Sequence, residues 1–167
     1  VTWLFDPAVL MDDDGTAYLY FGGGVPTGKQ ADPGTARVVK LGSDYTSIVG
    51  TPTAINPPYL FEDAGANKIA GKYIYSYCSN WNCTGNPMSN AQICYMTSNS
   101  PLGPFTYSGM VFKNPGTFFP GSSGNNHHAI FEFKGQWYIT YHAMVLQNSM
   151  GISGGYRSSH IDYIPVN

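Results

Sequence analysis

LFEDAGANKIAGKYIYSYCSNW, residues Leu60 to Trp81, is the stretch whose reading decides the fold. It opens with an apolar pair, Leu60-Phe61, then one acid, Glu62. A turn at Ala70-Gly71 leads into Tyr73, Tyr75 and Tyr77. Tyrosines at every second position are a strand signal, because alternate side chains of a strand share a face. A carboxylate that enters a strand among aromatics loses water, and burial raises a carboxyl pKa, as general-acid chemistry near neutral pH requires. Taken alone, Glu62 reads better as an edge-strand glutamate facing solvent. The repetition of the unit changes that balance.

The same pattern occurs three times. Asp6-Pro7-Ala8-Val9-Leu10-Met11 is followed by Asp12-Asp13-Asp14-Gly15 and then Thr16-Ala17-Tyr18-Leu19-Tyr20-Phe21. A strand, an Asp-Gly turn and a strand are the strongest short-range hairpin signal. The third copy runs His127-His128-Ala129-Ile130-Phe131-Glu132-Phe133, Lys134-Gly135, then Trp137-Tyr138-Ile139-Thr140-Tyr141. A second hairpin follows each unit: Ala36–Leu41 with the segment to Val49, Ala91–Met96 with Pro104–Phe112, and a shortened one from Tyr156. Two hairpins per repeat make a four-stranded sheet, the blade of a β-propeller. The expected fold is therefore all-β, with repeats over residues 5–55, 60–115 and 124–167 of a single domain. Three blades do not close a ring, since propellers use roughly 4–8.

Composition agrees. Only 11% of the 167 residues are charged, while Gly, Pro and Tyr number 20, 12 and 13, which suits short strands and tight turns. A net charge of −2 without a basic run argues against nucleic acid. No apolar run approaches the ~20 residues of a membrane helix. Val1-Thr2-Trp3 reads as folded protein rather than a leader, and the absence of Met at the start suits a mature product or a piece of something longer. Cys78, Cys83 and Cys94 lack zinc-ligand spacing; they are compatible with one disulfide plus one thiol, with the pairing open. Asn82-Cys83-Thr84 is a glycosylation sequon, of consequence only in a eukaryotic secretory protein. Gly23 with Gly28-Lys29 nearly spells a phosphate-binding loop, but Gln30 replaces the Ser/Thr and Ala31-Asp32-Pro33-Gly34 opens no helix.

In a propeller the first strand of each blade lines the axis, so equivalent positions converge. Here they are Asp6, Glu62 and His127 or His128. Individually these read as a turn initiator, an edge acid and a polar loop pair. Converging on one funnel, they make a candidate site.

These residues resemble a known family. Asp6-Pro-Ala-Val-Leu-Met-Asp-Asp-Asp-Gly, Leu60-Phe-Glu-Asp-Ala-Gly, Gly71-Lys-Tyr-Ile-Tyr-Ser-Tyr and His127-His-Ala-Ile-Phe-Glu-Phe look like glycoside hydrolase family 43, of the arabinofuranosidase and β-xylosidase type. The resemblance runs over nearly the whole chain. It implies a five-bladed propeller, of which this chain covers about three blades, and inverting hydrolysis of arabinose or xylose linkages in plant cell-wall polysaccharide. It implies a secreted enzyme. By position, Glu62 matches the general acid and Asp6 the aspartate that orients it and tunes its pKa. Phe5, Trp81, Arg157 and His128 fall where sugar contacts are expected. His127 falls at the axis, near a candidate calcium ion. Calcium prefers oxygen ligands, so His127 is expected to hold its water shell, with His128 pointing the other way.

One departure from the pattern matters. The family's general base is an aspartate on the first blade, and this chain begins with what reads as the second. Asp12, Asp13 and Asp14 read as solvated turn chemistry away from the axis. The expected molecule is thus a propeller segment lacking its first blade, with the missing remainder as a partner. The rival readings are a non-catalytic carbohydrate-binding propeller and a structural fragment that associates with a complementary chain. The 167-residue chain alone is expected not to hydrolyse an aryl arabinofuranoside or xyloside. Restoring an upstream blade that carries an Asp-Pro pair should recover activity, whereas robust turnover by the isolated monomer would hand the base role to Asp6.

Overall fold

The computed structural model describes residues 4–81, 88 and 90–166. Val1-Thr2-Trp3 and the sequon Asn82-Cys83-Thr84 lie outside the described residues. Period-two segments become strands wherever a tight turn lets them pair. β1 (Ala8–Met11) and β2 (Ala17–Phe21) flank the acidic turn, β3 (Arg37–Leu41) and β4 (Ile48–Ala54) follow, and β5 (Leu60–Ile69) pairs with β6 (Lys72–Ser79). Next come β7 (Ile93–Ser98), β8 (Thr106–Phe112), a 3-10 turn at Pro115–Thr117, β9 (His128–Phe133), β10 (Gln136–Ala143), the one-turn helix α1 (Val145–Ser149) and β11 (Ser158–Tyr163). The β5–β6 and β9–β10 hairpins turn at Ala70-Gly71 and Lys134-Gly135, with φ of 48° and 75°, and 52° and 78°. Two consecutive positive φ values are the type I′ geometry, whose twist matches that of paired strands.

The strands form antiparallel sheets ordered β1-β2-β3-β4, β5-β6-β7-β8 and β11-β10-β9. The first strands of successive sheets are neighbours, β1 beside β5 and β5 beside β9. This is the arrangement of consecutive propeller blades around an axis. Among the described residues no helix is long and apolar enough to cross a membrane.

Tyrosines hold the first two blades together. Tyr73, Tyr75 and Tyr77 share one buried face of β6. Tyr75 stacks on Tyr20 of β2 at 6.1 Å between ring centroids and on Tyr77 at 5.9 Å. The Phe105 edge closes the cluster, 6.2 Å from both Tyr20 and Tyr75.

The acidic turn is more than solvated turn chemistry, and the reading of Asp12 is corrected accordingly. Asp14 does cap the turn, its Oδ1 accepting the Thr16 N–H at 2.8 Å, and Asp13 is exposed. Asp12, however, is nearly buried. Its Oδ1 accepts from Lys68 Nζ at 2.5 Å and its Oδ2 from the Tyr73 hydroxyl at 2.6 Å, so it joins the tip of the first blade to the second. These bonds hold the Asp12 carboxyl below the usual carboxylate range and raise Lys68. The second blade also buries Cys78 and Cys94 as thiols, with no disulfide between them. Cys83 lies outside the described residues.

Three buried tyrosines give a stability test. Tyr20 and Tyr77 donate to the carbonyls of Pro101 and Pro58 at 2.7 and 2.8 Å. The Tyr75 hydroxyl is buried without a hydrogen-bond partner among the described residues. Tyr20→Phe and Tyr77→Phe should each lower unfolding free energy by about 1 kcal/mol, whereas Tyr75→Phe should be neutral or stabilising, because an unpaired buried hydroxyl is already a cost. Urea titration of the three variants reads this order directly. A Tyr75→Phe loss equal to the others would reveal a partner for its hydroxyl.

Candidate active site

Glu62 reaches the axis through an irregularity in β5. Its pairing with β6 slips between Leu60 and Glu62 and again between Glu62 and Gly65. Asp63 sits inside that bulge with φ 69°. Bulges re-aim side chains, and here Glu62 faces the axis while Asp63 turns into the protein. Asp6 enters β1 through its own positive φ, 51°, a conformation that aspartate tolerates better than most residues. His127 immediately precedes β9.

Three blades therefore bring one group each to the axis. Carboxylate oxygens of Asp6 and Glu62 and a ring nitrogen of His127 all lie within 4.8 Å of one another. His127 Nε2 is 2.9 Å from Glu62 Oε1 and 3.8 Å from Asp6 Oδ2. Asn125 Nδ2 donates to the same Glu62 Oε1, and His142 Nε2 lies 3.0 Å from Asn125 Oδ1. Among the described residues, no hydrogen bond engages Glu62 Oε2. Asp6 Oδ2 accepts the Asp63 N–H at 3.0 Å.

The electrostatics follow from burial and these bonds. Burial pushes the Asp6 carboxyl up, against the lowering effect of the Asp63 N–H and the His127 ring. The bond to Glu62 is the largest cause raising His127, with nearby Asp63 and Asp6 adding to it and burial opposing. His142 is held below the ordinary imidazole value, first by burial and then by the positive charge of Arg157. A neutral His142 can use Nε2–H to donate to the Asn125 amide oxygen, leaving the amide nitrogen to face Glu62.

The geometry sorts the expected site residues. Asp6, Glu62 and His127 are together. His128 is not available to sugar, and that expectation is corrected: its ring is fully buried, with Nδ1 2.5 Å from Asp63 Oδ2 and Nε2 2.7 Å from Ser76 Oγ. Consecutive strand residues face opposite ways, so with His127 at the axis His128 must enter the interior. Phe5 is half-buried, its ring packed where a side chain on Gly23 would stand. Trp81 is also half-buried and meets Phe61 edge-on at 4.6 Å. Arg157 is exposed, with its charge felt at His142. Sequence reasoning missed Asp63, Asn125 and His142. Asn125 lay in a Gly/Asn stretch that reads as loop, and Asp63 beside Glu62 gave no sign of the bulge.

The expected calcium ion is tested by the donor set. Two carboxylate oxygens and one imidazole nitrogen supply about half of the roughly six to eight ligands that calcium takes, and nitrogen is a poor one. An ion on this axis would keep most of its shell as water. The adjoining 320 Å³ cavity, lined by Asp6, His127 and residues of β5 and β9 that include Asp63, has room for such a hydrated ion.

A family model described as glycosyl hydrolases family 43 matches residues 1–165. An arabinoxylan arabinofuranohydrolase of Paenibacillus polymyxa is 56% identical over 168 residues, covering 97% of this chain and 26% of its own length. The arabinoxylan arabinofuranohydrolase of Bacillus subtilis (strain 168) is 53% identical over 176 residues, covering 100% of this chain and 34% of its own length. The crystal structure of a Bacillus subtilis family 43 arabinoxylan arabinofuranohydrolase in complex with cellotetraose has a TM-score of 0.91 at 52% identity, over 100% of this chain and 36% of that one. An α-L-arabinofuranosidase structure from Clostridium thermocellum has a TM-score of 0.77 at 39% identity, over 99% of this chain and 50% of that one. The chain thus spans about a quarter to a third of the length of these two curated relatives.

The histidines provide a pH test. A raised folded pKa for His127 means that its contribution to stability is complete below the ordinary imidazole value and is lost as pH rises through the raised value. Ring-proton NMR titration should give His127 a midpoint above, and His142 one below, the ordinary value. Glu62→Gln should move the His127 midpoint down. An unmoved midpoint would mean that Glu62 does not hold the ring.

Proposed function

The chain belongs to glycosyl hydrolase family 43, and from that premise we propose that it carries the acid half of an inverting site for arabinose- or xylose-containing plant polysaccharide. Glu62 is the general acid. Asp6 is its modulator, a second carboxyl on the same axis that meets it within 4.8 Å. The observation that carries this reading is the meeting of Asp6, Glu62 and His127 within 4.8 Å. Donors from Asn125 and His127 share Oε1, so Oε2 is the oxygen left to carry the proton to the leaving group.

The same spacing speaks against Asp6 as an inverting base. Inversion needs its two carboxyls roughly 6.5–9.5 Å apart, with water between them. Asp6 is too close, so the base belongs elsewhere in the full-length protein. The named relatives act on arabinoxylan, which supports an arabinoxylan side chain as substrate and a secreted enzyme to meet it. Trp81 and Phe61, which meet edge-on at 4.6 Å, are the aromatic pair offered to a sugar ring in this reading.

Glu62→Gln in the full-length protein should lower kcat by about 10²–10⁴-fold on a natural oligosaccharide, with KM little changed. An aryl glycoside with an activated leaving group needs little protonation and should lose much less. Equal losses on both would remove Glu62 from the acid's role. NMR of the first-formed sugar should show inversion; retention would make Asp6 a nucleophile, for which roughly 5–5.5 Å between carboxyls is the known spacing. A protein that binds arabinoxylan without turnover would be a carbohydrate-binding propeller instead.

A further inference from the structure

Behind the axial cluster lies a second, buried chain of groups that the proposed chemistry does not use. Asp63 Oδ2 receives both the backbone N–H of His128, at 2.9 Å, and the ring Nδ1, at 2.5 Å. His128 Nε2 meets Ser76 Oγ at 2.7 Å. The connectivity is that of a nucleophilic triad, Asp to His to Ser, but Ser76 and the His128 ring are both fully buried. No substrate reaches that hydroxyl. The chain is also tightly enclosed: a Cβ on Gly65 would stand 2.3 Å from Ser76 Oγ and 2.9 Å from His128 Nε2.

We infer that Asp63, His128 and Ser76 form a positioning relay that aims the two axial carboxylates. Asp63 is the residue in the bulge between Glu62 and the regular part of β5, at φ 69°. Holding its side chain fixes the peptide that directs Glu62 to the axis. Its own N–H is the donor to Asp6 Oδ2, at 3.0 Å. One anchored residue therefore sets the direction of Glu62 and one hydrogen bond of Asp6. Ser76 fixes the His128 ring, and the His128 ring fixes Asp63. The positive-φ backbone at Asp63 is an uncommon conformation for a residue other than glycine, though one that aspartate adopts more readily than most.

The inference rests on Glu62 being the acid, and the test separates the two ideas. Ser76→Ala and His128→Leu are made in the full-length protein beside Glu62→Gln, and each is assayed on a natural oligosaccharide and on an activated aryl glycoside. Misaligned catalytic groups typically cost about 10- to 100-fold. Ser76→Ala and His128→Leu should lose kcat on that scale on the natural substrate, with KM unchanged and a smaller loss on the aryl glycoside. His128→Asn offers an amide N–H toward Asp63 and should recover part of what His128→Leu loses. If Glu62→Gln shows no leaving-group dependence, the acid assignment fails. If it does, while Ser76→Ala unfolds or loses both substrates in equal proportion, the relay is a structural element only and the inference is overturned. Equal activities for His128→Asn and His128→Leu would overturn it as well.

Discussion

The burial of the Asp63 carboxylate is the constraint on which the axial end of this structure depends. A carboxylate withdrawn from water is strongly unfavourable unless donors replace the lost solvent. His128 supplies two, from its backbone and its ring. That pairing couples β9 to β5, while the Asp63 N–H couples β5 to Asp6 ahead of β1. Three sheets are thus tied at one residue. At the opposite end of the same strands, Lys68 and Tyr73 close on Asp12. β1 and β5 are consequently tied to each other at both ends.

Charge explains why the axial groups arrange as they do. Asp6, Glu62 and Asp63 put three acids in a small volume, and His127 is the base among them, within 3.8 Å of an oxygen of each. A proton on that ring is favoured by all three. The donors to Glu62 are crowded onto one oxygen.

Much of the fold was legible because it depends on local rules. The alternation of Tyr73, Tyr75 and Tyr77 placed one buried face, and Asp-Gly, Ala-Gly and Lys-Gly marked the turns. The repeat then made Asp6, Glu62 and His127 equivalent, which no single motif could do. What was not legible depended on departures from regularity. The bulge at Asp63 breaks the period of two, so strand alternation does not predict where its side chain goes. Asp12 reads as a turn residue because Lys68 and Tyr73, distant in sequence, are what bury it. Asn125 belongs to an irregular connector, where only the fold decides which residue meets Glu62.

The two adjacent histidines show how such a site is joined to its core. His127 and His128 differ by one position, hence by one face. The first ring is a third exposed and shares one hydrogen bond with Glu62, while the second is sealed between Asp63 and Ser76. A displacement of β9 along its length would move both at once: it would withdraw His127 from Glu62 and strip Asp63 of its two donors. The axial bond and the buried bond are therefore not independent. Gly65 limits the remaining freedom, since any side chain there would collide with Ser76 and His128. Close backbone approach at Gly65 is thus what allows β5, β6 and β9 to share one hydrogen-bonded chain, and the same contacts that join those three strands hold Asp63 beside Glu62.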